Sequence, residues 1–99
     1  MASIIRGTTP TFKKTFDSVD VSKIVAAYLT VRGKTSIEKG LSDAVIGEDY
    51  IAWTMTQADS LSFGDVISVM VNWKLDDGTR GATEETTYMI KRNHKEVEI

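Results

Sequence analysis

Residues 66–75 read Val66-Ile67-Ser68-Val69-Met70-Val71-Asn72-Trp73-Lys74-Leu75. Ile67, Val69, Val71, Trp73 and Leu75 alternate with Ser68, Met70, Asn72 and Lys74. Successive side chains of a strand point to opposite faces, so a period of two with one apolar face predicts a half-buried β-strand. Asp76-Asp77-Gly78-Thr79 comes next. An Asp-Gly pair readily adopts the positive φ of a tight turn, so the strand is expected to fold back as a hairpin. The return, Arg80 to Ile90, is rich in threonine. A lone hairpin cannot bury its apolar face, and other strands must cover it.

The covering strands can be read on the N-terminal side. Val25, Ala27, Leu29 and Val31 alternate with Ala26, Tyr28, Thr30 and Arg32; Gly33-Lys34 turns the chain, and Thr35 to Lys39 returns. A brief strand is expected at Ala44 to Ile46. Tyr50 to Thr56 alternates again, with Ile51, Trp53 and Met55 on the core face. Thr56-Gln57-Ala58-Asp59 has the Thr-x-x-acid form of a helix start, and Gly64 closes one short helical turn. Thr11 to Phe16 reads as an edge strand with Phe12 and Phe16 inward. Lys14 lies between them, placed to snorkel outward or to block edge pairing. Ser3 to Arg6 is a shorter strand that Gly7-Thr8-Thr9-Pro10 ends.

Residues 82–91 are too polar for a strand covered on both faces. They are expected at a sheet edge or with one face in water. These short strands, six to eight of them with turn signals about every 8–12 residues, predict an all-β fold, an antiparallel β-sandwich. Trp53, Trp73, Phe12, Phe16, Leu29, Val31, Val69 and Val71 are expected in its core. Residues 1–90 are expected to form the single domain, and residues 91–99 a charged tail in which Val97 and Ile99 alternate with charge.

The chain has 99 residues, 41% hydrophobic and 26% charged, a size that fits one domain. A net charge of −2 argues against nucleic acid as a partner. No cysteine is present, which excludes disulfides and thiolate metal sites. No apolar run approaches the roughly 20 residues of a membrane span, and residues 1–10 lack the features of a signal peptide. Synthesis and folding in a cytoplasm are the expectation, with an extracellular particle as a further destination.

The side chains offer little chemistry. The lone histidine, His94, falls in the charged tail, where nothing positions it as a base or a metal ligand. Glu48-Asp49, Asp76-Asp77 and Glu84-Glu85 are neighbours in sequence, so on a strand the two members diverge. No glycine-rich loop precedes a helix, which leaves nucleotide binding without support. No catalytic residue, cofactor, metal or small-molecule substrate is expected. The candidate contacts lie on the surface. Tyr28 and Met70 fall on the non-core side of their strands. Ile4 and Ile5, beside Arg6, are candidates for an open sheet edge that recruits another strand, against cover by a loop or by the second sheet, and Lys14 offers a basic contact.

Arg6-Gly7-Thr8-Thr9-Pro10-Thr11-Phe12, the stretch Thr54-Met55-Thr56-Gln57-Ala58-Asp59-Ser60-Leu61-Ser62-Phe63 and the 66–82 hairpin together resemble a group of small uncharacterised proteins. These are encoded in prophages of Firmicutes, among tail and baseplate genes. The likeness runs over most of the chain and departs at Lys14, where an apolar residue is usual, and near the C-terminus, where the tail here is more charged. It implies an immunoglobulin-like sandwich and a structural or adaptor role in a phage tail or baseplate, as part of the virion. The partners would be other phage structural proteins or further copies of the chain. A phage-encoded inhibitor or binder of a host protein is the alternative. A carbohydrate-binding module, with Trp53, Trp73 or Tyr50 as a stacking platform, is a third reading, at odds with both tryptophans being in the core.

Overall fold

Two β-sheets face each other in the computed structural model, which describes residues 2–93. The strands run β1 (Ala2–Ile5), β2 (Thr11–Thr15), β3 (Ile24–Arg32), β4 (Ser36–Gly40), β5 (Val45–Ile46), β6 (Tyr50–Thr54), β7 (Val66–Leu75), β8 (Arg80–Ala82) and β9 (Thr86–Lys91). A single α-helix, α1 (Gln57–Leu61), joins β6 to β7, and short 3-10 turns precede β3 and β5. One sheet has the order β1-β9-β7-β3-β4, with β8 also on β7; the other has the order β2-β6-β5. With β2, β6 and β5 as strands B, E and D, and β9, β7, β3 and β4 as G, F, C and C′, this is the immunoglobulin arrangement.

The expected hairpin forms. Gly78 takes φ +90°, the Leu75 and Thr79 backbones pair at 2.8 Å, and Asp77 Oδ1 accepts the Thr79 N–H at 2.8 Å. The sandwich is antiparallel in every pairing but one. The opening strand β1 pairs parallel with β9, Ile4 opposite Ile90. That pairing also removes β9 from the sheet edge: it lies between β1 and β7 with one face in water. Its polar composition reflects the wet face, where Thr87, Met89 and Lys91 point outward.

The core follows the alternation closely. Leu29, Ile51, Trp53 and Met55 are fully buried, and Phe12, Phe16, Val31, Val69 and Val71 lie with them. Burying a side chain of this size contributes about 1.5–3 kcal/mol. One residue on an expected inward face, Val25, and one expected core residue, Trp73, differ. The register shifts between Ile24 and Ala26, so a bulge turns Val25 out to 57% exposure and puts Ile24 inward. Trp73 is half-buried at the rim, with its ring under Gly81, where a Cβ would come within 2.4 Å of it.

Without a disulfide the sheets are joined by aromatics. Phe16 meets Trp73 edge-on at 5.0 Å and Phe12 meets Tyr88 at 5.4 Å. Each pair sets β2 against the facing sheet, and such geometry is worth about 0.5–1.5 kcal/mol beyond burial. Trp53 adds a polar tie, its indole N–H donating to the Gly40 carbonyl at 3.0 Å.

Helix α1 starts as its sequence predicts. Thr56 and Asp59 form a reciprocal capping box, and Asp59 also meets Lys39 of β4 at 3.0 Å. Burial would raise the Asp59 carboxyl, but the Thr56 backbone N–H, the Lys39 ammonium and the Thr56 hydroxyl outweigh it and hold the group below its usual value. Buried Ser60 donates to the Thr8 carbonyl at 2.6 Å, which fastens the helix to the turn after β1. Lys91 belongs to β9, and Asn93 is tied to the Arg6 carbonyl at 2.9 Å. The rest of the expected tail, with His94, Val97 and Ile99, lies outside the described residues.

Candidate functional site

The outer face of the larger sheet is set by strand register. With Ala27, Leu29 and Val31 inward on β3, its even-numbered partners Ala26, Tyr28, Thr30 and Arg32 point out. Across β7 they meet Lys74, Asn72, Met70 and Ser68. Val66 continues that row and pairs with Met89 of β9, which in turn pairs with Ser3 of β1. Ile5 lies two residues further along β1, opposite Lys91.

Of the six residues expected at a partner surface, three share this face. Tyr28 and Ile5 are 47% and 49% exposed, and Met70 is half-buried between the strands. The other three lie elsewhere. Ile4 is buried, because β1 pairs with β9 and the alternation turns Ile4 into the core beside Ile90. The segment is therefore covered on one face by its own domain, which removes Ile4 from the candidate contacts. Arg6 lies at the end of the sandwich, where its guanidinium donates to the Gly64 carbonyl and to Asp65 at 3.3 Å. Lys14 stays at the mouth between the sheets. Its ammonium lies 5.5 Å from the Phe16 ring centre and 5.7 Å from that of Trp73. This is the snorkelling geometry, with a cation–π contact at its end.

Two apolar members of the face escaped the sequence reading. Val66 is 49% exposed and Met89 52% exposed. Val66 carried a weak signal, since it shares a parity with Ser68 and Met70. Met89 carried none, because its neighbours follow from the pairing of β9 with β7. The face also holds two hollows. One, of about 440 Å³, is lined by Tyr28, Asn72, Lys74 and Arg80, with Trp73 at its edge. The other, of about 150 Å³, lies among Met70, Arg32 and Glu85 and shares Asn72 with the first.

The proposed sugar platforms are differently placed. Trp53 is fully buried, and the Tyr50 ring is capped by Lys13 at 4.3 Å. Trp73 is half-buried, held edge-on to Phe16, and borders a hollow of the outer face. Among the described residues no three histidine, aspartate or glutamate side chains gather as a metal site, and no helix is long and apolar enough to cross a membrane. Comparison with family models, with curated proteins and with solved structures finds no match.

Proposed function

We propose that the protein is a non-enzymatic docking module, a structural or adaptor component of a phage tail or baseplate. It works through protein–protein contacts on the outer face of the larger sheet. One observation carries this reading. Ile5, Val66 and Met89 lie on neighbouring outward positions, each about half exposed to water. Single apolar residues scatter over any surface, whereas a contiguous group rimmed by polar side chains is the composition of a contact site. Met70 and Tyr28 extend the group across β7 and β3, with Arg32, Thr87 and Lys91 around it. The phage setting comes from the resemblance of the RGTTPTF opening, the helix-start segment and the 66–82 hairpin to small uncharacterised proteins encoded in prophages among tail and baseplate genes.

The test uses the prophage itself. After induction, particles are purified from a strain carrying the wild-type gene and from one carrying V66D/M89D. Mass spectrometry should find the wild-type protein in the particles at a fixed ratio to a tail protein, and the variant in the lysate alone. A wild-type protein missing from particles, or a variant present at the wild-type ratio, overturns the reading. Both substituted side chains are half exposed, so the variant is expected to fold; circular dichroism checks it.

A further inference from the structure

The outer face is basic on a chain whose net charge is −2. Arg32, Lys74, Arg80 and Lys91 point outward from its strands, against Glu38 from the strands and Glu85 from the loop before β9. Two of these cations are arranged at a cost. Lys74 of β7 and Arg80 of β8 are directly opposite each other in register, and like charges so placed repel. No carboxylate among the described residues forms an ion pair with either. Both line the larger hollow, beside the exposed ring of Tyr28 and the amide of Asn72.

We propose that this trough receives an acidic segment of a protein partner. Lys74 and Arg80 hold a carboxylate between them, and Tyr28 and Met70 receive an apolar side chain of the same segment. The inference rests on reading this face as a docking surface and adds the chemistry of the occupant. An arginine fork beside an ammonium suits a carboxylate, which accepts two N–H bonds from the fork and a third from its neighbour. From Lys74 to Ser68 the two hollows follow β7 for about 20 Å, the reach of an extended segment of about six residues and more than a free anion fills. Glu85 borders the second hollow beside Arg32. That break in the cation track disfavours a polyphosphate backbone, which needs positive charge along its whole length.

The full chain is titrated with a blocked hexapeptide whose glutamate and leucine lie two residues apart, on one face of an extended chain, with serine at the other positions, followed by amide shifts and Trp73 fluorescence. The glutamine–leucine peptide, inorganic phosphate and oligothymidylate are run in parallel. Saturable shifts at Tyr28, Asn72, Lys74 and Arg80 are expected, at least tenfold weaker with the glutamine peptide and in K74Q/R80Q. Thermal unfolding of K74Q should occur at a higher temperature than that of wild type, as the repulsion is relieved. No saturation up to millimolar peptide, equal affinity for the glutamine peptide, unchanged affinity in K74Q/R80Q, or stronger binding of phosphate or oligothymidylate each overturns the proposal. Particle incorporation separates it from the reading beneath. If K74Q/R80Q enters particles normally and V66D/M89D does not, the docking face stands and the acidic occupant falls; if both enter, the docking face falls as well.

Discussion

The Thr83 hydroxyl takes the place of a main-chain carbonyl in the ladder of Val71. Its Oγ1 accepts the Val71 N–H at 3.0 Å, while the Thr83 N–H donates to the Val71 carbonyl at 2.9 Å. Strands β8 and β9 both pair with β7 and are separated only by residues 83–85. They act as one strand with an interruption, and Thr83 keeps the central strand satisfied across it. T83V should leave the Val71 N–H without its partner. The expected loss is about 1–3 kcal/mol, read as a lower urea midpoint with an unchanged slope, and T83S should restore most of it.

Ile4 and Ile5 are neighbours with opposite fates. I4A removes a side chain from between the sheets, where it belongs to the core beside Ile90, and should cost about 2–4 kcal/mol. I5S changes an outward side chain and should alter stability by about 0.5 kcal/mol or less. Chemical denaturation of the two variants distinguishes the parallel β1–β9 pairing from a loose N-terminal segment, for which both costs would be small.

Gly81 makes room for Trp73. A methyl group there would come within 2.4–2.6 Å of indole atoms, so G81A must push the ring away from β8. Overpacking of this kind costs about 1–3 kcal/mol. The displaced ring would also leave its edge contact with Phe16, and a shift in tryptophan emission should accompany the lower unfolding temperature. Trp53, buried and bonded to the Gly40 carbonyl, should be unaffected.

The Asp59 carboxylate couples α1 to β4 through Lys39. Its affinity for protons is lowered in the folded protein, despite burial, by the Thr56 backbone N–H and Lys39. A group depressed on folding binds more protons in the unfolded chain. Its contribution is therefore present in full above the unfolded carboxylate range near pH 4 and is lost as pH falls through the lower folded value. D59N should destabilise the protein at pH 7 and flatten the decline in stability below about pH 4. Unfolding midpoints from pH 7 to pH 2 check this; parallel curves for the two proteins would contradict it.

Period-two alternation made most of this fold legible. The strands at 24–32, 50–54 and 66–75, the Asp77-Gly78 turn and the Thr56–Asp59 helix start are each set by residues within a few positions of one another. Local dihedral preference and side-chain parity act over that distance, so a linear reading finds them. The same parity marked Tyr28 and Met70 as outward. The facing of Lys74 and Arg80 was not legible: a two-residue Asp77-Gly78 turn would set Lys74 opposite Gly81, and the loop that forms, Asp76 to Gly78, shifts the register by one.

Tertiary structure decided what depends on partners far along the chain. The parallel docking of β1 on β9 joins residues nearly the whole chain apart, and nothing local in Ile4 or Ile90 specifies it. It buried Ile4, moved β9 off the edge and brought Ile5 beside Met89. The bulge at Val25 and the sliding of Trp73 under Gly81 likewise arise when two separately patterned segments must fit one interface. Residue type sets which side of a strand faces water, but the neighbours met on that side are set by sheet order, which only the closed sandwich fixes.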